Sequence, residues 1–218
     1  FNAGGSGGND AVYAVALQQD GKILIGGQIS TYNGSPATSA KILRLNADGT
    51  RDATFNAGGT GANGTVQAIV VQHDGKILVG GFFTSYNGDF AISRSIMRLN
   101  ADGTRDTNFN SGGSGPDIFV FALTLQPDGK IVIGGNFTSY NGNTAASDRV
   151  MRLNAGGTRD INFNTAGSGA DADVVVLAMQ PDGKVVLGGS FTSYNGDTAA
   201  SDRVMRLDPG DRLRDEEL

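Results

Sequence analysis

The segment DGKILIGG at residues 20–27 returns as DGKILVGG, DGKIVIGG and DGKVVLGG at residues 74–81, 128–135 and 182–189. Each copy joins an Asp-Gly turn to a run of β-branched residues, which is the pattern of a strand that follows a tight hairpin. In the first copy Ile23, Leu24 and Ile25 are apolar in succession. Such a run is typical of a strand that is covered on both faces.

The copies are 54 residues apart, and the four units that they define, 1–54, 55–108, 109–162 and 163–218, open at Phe1, Phe55, Phe109 and Phe163. A period of this size indicates a repeat architecture. We expect four strands in each unit, which in the first unit are VYAVALQ at 12–18, KILIGG at 22–27, KILRLN at 41–46 and TRDATFN at 50–56. Glycines interrupt every window that could form a helix, so helix is a poor alternative.

Four-stranded antiparallel sheets that repeat at this interval and cover one another's faces predict a β-propeller. We therefore expect an all-β fold with four blades, in a single domain over residues 1–218. The pattern FN…V.A….DGK…GG.F…NG…RLN.DG..D resembles the delta-60 repeat, a bacterial β-propeller repeat of undefined biochemical role. The resemblance covers all four units and ends at residues 208–218, where DPGDRLRDEEL replaces the last fourth strand.

Two ways of completing the ring stay open. Phe1 and Asn2 form the end of a fourth strand without its hairpin, so they could lie beside residues 203–208 and close a four-blade ring. Alternatively, the chain supplies four blades of a larger ring by association with a second copy or with flanking sequence. The start has neither an initiator Met nor a signal-peptide pattern, so we expect a piece of a longer protein.

The composition limits the classes of partner. The formal net charge is −5 and the 17 Lys and Arg residues are spread along the chain, which argues against nucleic acid and anionic membranes. No apolar run is long enough to insert into a bilayer. The absence of cysteine excludes disulfides and thiolate metal sites.

The Ala-Asp-Gly turns predict three structural ion pairs. If residues 46–50 form a three-residue hairpin loop, Asn46 faces Thr50, and Arg44 then lies opposite Asp52. In an exposed position each pair would contribute only about 0–1 kcal/mol. In the last unit we expect the pair to be broken or shifted, because Arg214 holds the position of the aspartate and Asp215 follows it. The same count gives the other two pairs, Arg98 with Asp106 and Arg152 with Asp160.

Antiparallel order predicts that the two tight turns of each blade lie at one end and the long connections at the other. We call the connections at residues 2–10 and 32–40, with their counterparts in the later units, the long-loop rim, and expect it to be the binding face. The phrase FTSYNG at 83–88, 137–142 and 191–196, with ISTYNG at 29–34, runs into this rim.

Two interpretations of the Tyr-Asn-Gly phrase stay open. In the first, each ring lies over the edge of its blade with its hydroxyl group hydrogen-bonded, which is a structural role. In the second, the rings are platforms for a sugar or a peptide, and the amides bind the same ligand. The candidate ligand-binding residues are Tyr32, Asn33, Tyr86, Asn87, Tyr140, Asn141, Tyr194 and Asn195.

Acidic residues on the loops suggest two further hypotheses. Calcium takes oxygen ligands from such loops, although no EF-hand or tandem calcium-repeat spacing occurs. A hydrolase would need two carboxylates such as Asp148 and Asp202 as its acid and base. The acids on these loops are Asp10, Asp89, Asp148, Asp171, Asp173, Asp197 and Asp202.

The single histidine, His73, is expected in an exposed hairpin turn, which leaves no Ser–His or His–metal constellation. We therefore expect a non-enzymatic binding or structural module without a cofactor, in a larger secreted, cell-surface or particle-associated assembly. Its expected partner is a protein or a glycan at the long-loop rim. A calcium-dependent lectin-like propeller is the first alternative, and a hydrolase is the second.

Overall fold

The structure, a computed structural model, describes residues 1–36, 39–90, 94–144, 148–165, 167–198 and 203–208. Within these ranges the regular elements are all strands, and no helix could cross a membrane. The strands are β1 (Val12–Leu17), β2 (Ile23–Gly27), β3 (Thr31–Tyr32), β4 (Ser35–Pro36), β5 (Ile42–Leu45), β6 (Val66–Val71), β7 (Ile77–Gly81), β8 (Ile96–Leu99), β9 (Val120–Leu125), β10 (Ile131–Gly135), β11 (Val150–Leu153), β12 (Val174–Met179), β13 (Val185–Gly189) and β14 (Val204–Leu207).

The strands form one three-stranded antiparallel sheet in each repeat. The sheet orders are β1-β2-β5, β6-β7-β8, β9-β10-β11 and β12-β13-β14, and β3 pairs with β4 in a small two-stranded hairpin. The prediction of an all-β chain of repeated, propeller-like antiparallel blades is thereby confirmed. The chain divides into two compact units, Phe1–Thr107 and Asn108–Leu218, with two of the sheets in each.

In the first three sheets the second and third strands are more deeply buried than the first strand. In the first unit Leu24 of β2 and Ile42 of β5 belong to one apolar cluster with Val66, Ile69 and Val79 of the second sheet. The continuous apolar runs therefore make two sets of contacts, one within their own sheet and one with the sheet of the neighbouring repeat. Burial of each such side chain contributes about 1.5–3 kcal/mol.

The predicted fourth strand is reduced to a single bridge. Leu45 bridges to Arg51, and the same bridge joins Leu99 to Arg105 and Leu153 to Arg159. After Asp52 the chain turns and leaves the sheet, and Asn56 N donates to Asp102 O of the next repeat at 2.7 Å. The crossing buries Phe55 in the next repeat, which a continued ladder would not do, so each sheet has three strands instead of four.

The first two residues of the chain are bonded to the turn of the first repeat. Asn2 N donates to Asp48 O at 2.6 Å, so Phe1 and Asn2 lie against the turn of their own repeat, as residues 55–56 do in the second. Phe1 is 78% exposed, whereas Phe55 is 2% exposed and lies against Arg44 of the first repeat. Asp202, Arg214 and Asp215 lie outside the described residues.

Candidate functional site

The four tyrosines of the repeated phrase are buried, with at most 5% of each residue exposed. The Tyr32 and Tyr86 hydroxyl groups donate to the carbonyl oxygens of Gly49 and Gly103 at 2.8 and 2.7 Å, and Tyr140 donates in the same way to Gly157. Burial raises the pKa of Tyr86, so its hydroxyl group stays a donor. The rings are packed against protein and their hydroxyl groups are hydrogen-bonded, which is the geometry of a structural role.

These hydrogen bonds also bring the tyrosines of the Tyr-Asn-Gly phrase to the tight turns, whereas the sequence predicted that the phrase runs into the long-loop rim. Gly49 and Gly103 belong to the Ala-Asp-Gly turns, which antiparallel order assigns to the end of the blade away from the long loops. The connection after β2 is long enough to turn back along the outer edge of the sheet and bring Tyr32 to its turn. A buried hydroxyl group needs a partner, and the turn carbonyl provides it.

The asparagine of each phrase pairs with an asparagine of the connection that precedes the sheet. Asn56 Nδ2 donates to Asn87 Oδ1 at 2.9 Å, and Asn87 Nδ2 donates back to Asn56 Oδ1 at 2.8 Å. Both residues have a positive φ, 49° and 52°, which asparagine tolerates better than most residues. The equivalent pairs are Asn2 with Asn33, Asn110 with Asn141 and Asn164 with Asn195.

A second set of side chains, which sequence analysis missed, holds the start of each phrase. Asn63 Oδ1 accepts hydrogen bonds from Thr84 N at 2.9 Å and Ser85 N at 3.0 Å. Asn9, Asp117 and Asp171 occupy the same position in the other repeats. The period of 54 residues could have found them, because each lies 21 residues before a Ser or Thr.

The carboxylates in this set are held ionised. The Ser193 and Thr192 donors lower the pKa of Asp171 below its usual range. Burial alone would raise the pKa of Asp117, but the bonds from Thr138 and Ser139 outweigh it and lower the pKa. These two acids therefore anchor a loop.

These anchors leave a short exposed segment in each repeat, which we call the turn tip: residues 33–36, 87–90, 141–144 and 195–198. In the second repeat the base of the tip is closed by bonds between Tyr86 and Asp89, and Arg105 Nη2 lies 3.1 Å from Asp89 Oδ2. Phe90, in this tip, is 73% exposed. The tips are thus exposed segments on a firmly bonded base.

The hairpin count that places Arg44 opposite Asp52 describes the observed geometry, and the structure adds a lysine. Arg44 Nε lies 2.8 Å and Lys22 Nζ 2.7 Å from Asp52 Oδ2. Burial alone would raise the pKa of Asp52, but bonds from Lys22, Thr54 and Arg44 outweigh it and lower the pKa. The later repeats have the same triads, Lys76–Asp106–Arg98 and Lys130–Asp160–Arg152.

The arginines of these triads also join successive repeats. The Arg44 guanidinium lies 5.0 Å from the centre of the Phe55 ring and donates to Ala101 O in the second repeat. Arg152 lies 5.1 Å from the Phe163 ring in the second unit. Arg44, Asp52 and their counterparts are buried, so the value for an exposed pair does not apply, and removal of one partner is expected to cost about 3–5 kcal/mol.

Asp148 is the acid considered for catalysis that lies within the described residues. Asp148 is partly exposed, 3.7 Å from Arg149, and burial raises its pKa. Its proposed partner Asp202 lies outside the described residues. In the part of the chain that the structure describes, no group of three or more His, Asp or Glu residues could hold a metal ion. His73 is exposed in its turn.

Solved structures with a similar fold include a WD40 propeller domain and two enzymes. The WD40 β-propeller domain of Doa1 aligns with a TM-score of 0.53 at 16% identity, over 84% of this chain and 49% of that chain. Virginiamycin B lyase from Staphylococcus aureus aligns with a TM-score of 0.53 at 15% identity, over 94% and 56%. A gluconolactonase from Xanthomonas campestris aligns with a TM-score of 0.53 at 14% identity, over 93% and 60%.

At these identities the similarity shows the fold alone, and the chain spans about half the length of the propellers that it matches. No curated protein sequence matches the chain significantly. One family does match, in four segments, at residues 18–55, 72–109, 126–163 and 180–211. Because these segments cover more than half of the sequence and one falls in each repeat, the chain belongs to the family described as a domain of unknown function (DUF5122) beta-propeller.

Proposed function

We propose that the chain is a non-enzymatic β-propeller module of the delta-60 repeat type, with four blades, that binds a protein or a glycan through its turn tips. We place it in a larger secreted, cell-surface or particle-associated assembly. One observation carries the proposal: each repeat presents an exposed tip on a base that is bonded at several points. Recognition residues are commonly carried by loops that a rigid scaffold positions.

The candidate tyrosines and asparagines support this function indirectly. Tyr86 and Asn87 bind the turn and the preceding connection, so they hold the tip at 87–90 in one conformation. A pre-organised loop loses less conformational entropy on binding, which strengthens the complex. Because the tips recur in every repeat, they suit a partner that repeats its own epitope, such as a polymeric glycan or a repetitive protein.

Phe90 is the tip residue that we most expect to contact a partner. Its exposed ring lies at the end of the second tip, beside the polar Asp89. An aromatic side chain surrounded by polar groups is a frequent anchor of protein and sugar recognition. The corresponding positions in the other tips are Pro36, Thr144 and Thr198.

The test is a glycan array and a pull-down with the purified chain, repeated with the variant Phe90→Ser. We expect binding to weaken by about tenfold or more, since an anchor residue contributes at least about 1–2 kcal/mol. Ile161→Ser is the matched control, because Ile161 is 71% exposed and lies outside the tips. Unchanged binding by the tip variant would contradict the proposed surface.

The two alternative functions have their own discriminating tests. A calcium-dependent lectin-like propeller predicts a higher unfolding temperature in calcium than in EDTA, because a ligand of the native state stabilises it. The raised pKa of Asp148 is the observation that favours a hydrolase. Turnover in a hydrolase screen that Asp148→Asn abolishes would replace the binding proposal.

A further inference from the structure

Each repeat has a glutamine at the end of its first strand, and the side-chain oxygen of that glutamine is buried without a hydrogen-bond partner. Gln72 is 9% exposed and Gln126 is 5% exposed, so these two side chains lie almost entirely inside the protein. The position recurs at the interval of 54 residues. The four glutamines with an unpartnered Oε1 atom are Gln18, Gln72, Gln126 and Gln180.

The N–H groups that close the tight turn after each glutamine are already in use. Gln126 N donates to Lys130 O at 2.8 Å, and Gly129 N donates to Gln126 O at 2.9 Å. Lys130 N donates to Asp128 Oδ1 at 3.0 Å. The same three bonds occur in the other three repeats. Because the turn and the buried oxygen recur together, the oxygen's need for a partner is a property of the hairpin and is not peculiar to one repeat.

A buried amide oxygen without a donor costs free energy, because it has lost its hydrogen bond to water and has gained none in the protein. Four such atoms would remove a large share of the marginal stability of a folded domain. The great majority of buried polar atoms in native proteins therefore have a partner, which is a protein group or an ordered water. Since no group of the described residues donates to these four oxygens, their partner comes from the solvent.

The lysine across the hairpin limits the chemistry of this partner. Gln126 and Lys130 lie directly opposite each other, so their side chains leave the sheet on the same face. The positive charge of the lysine disfavours a metal ion beside it, and the glutamine oxygen, an acceptor, disfavours an anion. A water molecule is neutral and can donate. It also serves the amide in either orientation, because water accepts from Nε2 as readily as it donates to Oε1.

The lysine also provides a second hydrogen-bonding group and a route to the solvent. An internal water makes about three hydrogen bonds to polar groups. Lys22 Nζ lies 2.7 Å from Asp52 Oδ2, and this bond uses one of the three protons of the ammonium group. The Lys22 side chain is 31% exposed, so solvent reaches the neighbourhood of Gln18 along it.

We propose that an internal water binds to the Oε1 atom of each of the four glutamines, between the first hairpin of the repeat and the lysine across that hairpin. The ligand class of this site is water. In the repeats of Gln18, Gln72 and Gln126 the water links the hairpin to the buried triad of lysine, aspartate and arginine.

A crystal structure at a resolution that shows ordered waters tests the proposal directly, on the unmutated protein. We expect a water within about 3.2 Å of the glutamine Oε1 atom in every repeat. Glutamine side chains that turn out into bulk solvent, or that bond to a protein donor, would overturn the proposal. Buried glutamines with no water density beside them would overturn it as well.

Magnetic relaxation dispersion of the oxygen-17 nucleus of water tests the same site in solution, because its amplitude reports the number of long-lived internal waters. Gln18→Met and Gln126→Met each remove one amide and keep the length of the side chain. We expect each variant to lower the amplitude by the same step, and the double variant by two steps. Gln19→Met is the matched control, because Gln19 is the exposed neighbour of Gln18 and its substitution should leave the amplitude unchanged. An unchanged amplitude in the folded double variant would contradict the proposal.

Discussion

At the scale of single residues, the fold depends on polar side chains that are buried together with their partners. Asp52 Oδ2 accepts hydrogen bonds from Lys22 and Arg44, and Asp160 Oδ2 accepts them from Lys130 and Arg152. Each nitrogen lies within 2.9 Å of its carboxylate oxygen. Burial works against a charged carboxylate, and the bonds from these cations and the nearby donors outweigh it, so the pKa values of both acids are lowered. The aspartates are therefore ionised in the native state well into acid solution.

This lowering predicts an acid limit of stability. The pKa of an aspartate in the unfolded chain is about 3.9. The stabilisation by Asp52 and Asp160 is therefore complete above that pH and is lost as the pH falls below it. The pKa of Asp171 is also lowered, so Asp171 has the same effect. Burial raises the pKa of Asp148, so Asp148 changes the free energy of unfolding in the opposite direction. Urea unfolding as a function of pH should show a free energy of unfolding that falls below about pH 4. A flat profile down to pH 2 would contradict the triads.

The tyrosine hydroxyl groups can be tested one at a time. Tyr86→Phe removes the donor to Gly103 O and leaves a buried carbonyl group without it, so the free energy of unfolding should fall by about 1–2 kcal/mol. Tyr13→Phe is the control, because Tyr13 is exposed on β1 and its removal should change nothing. Urea midpoints at constant slope give the comparison.

At the scale of elements, the loop after the second strand is held to the rest of its repeat at several points. In the second repeat the loop is held by Tyr86, by the Asn56–Asn87 pair and by Asn63. The described part of this connection is therefore fixed mainly by side-chain hydrogen bonds.

Substitutions of Asn87 separate its hydrogen bonds from its backbone conformation. Asn87→Ala loses the bonds with Asn56 and Gly61 and also places alanine at a φ of 52°. Asn87→Gly loses the same bonds without the conformational cost, so it should be the less destabilising variant by about 1 kcal/mol. Thermal unfolding of the two variants gives the difference. An equal loss in both would mean that the conformation carries no cost.

The corresponding turn of the third repeat, in which glycine replaces the aspartate, offers a stabilising change. Asp102 Oδ1 accepts hydrogen bonds from Thr104 N and Thr104 Oγ1, whereas Gly156 holds the same position in the third repeat and has open space around its Cβ direction. Gly156→Asp should restore both bonds and restrict the unfolded chain, with a gain of about 0.5–1 kcal/mol. Gly156→Ala, which makes only the second change, should gain less. A loss of stability in the aspartate variant would show that the turns differ.

At the scale of the whole molecule, stability comes from repeats that bury one another's faces. Within the first unit Leu24 and Ile42 are covered by Val66 and Ile69, and within the second unit Val132 and Val150 are covered by Val174. A single unit of a repeat protein cannot bury its apolar face by itself, and stacking on a neighbouring unit buries it. Each repeat therefore depends on its neighbour, as in other repeat proteins.

Gly26→Ala tests this dependence. The added methyl group would meet Val66 in the second repeat, so the substitution should destabilise the protein by about 1–3 kcal/mol through overpacking. Gly156→Ala is the matched control, since its methyl group meets nothing within 4 Å. Denaturant unfolding of both variants decides the question. Equal stability of the two would mean that the repeats can move apart at no cost.

Much of this architecture could be predicted because it is local and periodic. The 54-residue interval, the Asp-Gly turns and the apolar middle strands indicate the sheets, and the hairpin count brings Arg44 to Asp52. The third member of the triad, Lys22, was missed because it comes from a different hairpin, 30 residues away. The hydrogen bond from Thr84 N to Asn63 Oδ1 was missed for the same reason, because the two residues are also distant in the sequence.

By itself, the sequence determined that the chain is all-β, that it repeats four times and where its strands and tight turns lie, since these follow from short-range sterics and the alternation of apolar residues. Only the tertiary structure decided that the fourth strand stops at Arg51 and that the tyrosines turn inward. Those outcomes depend on contacts between residues that are distant in the chain. A buried donor takes the partner that packing brings to it, and no local pattern contains that information.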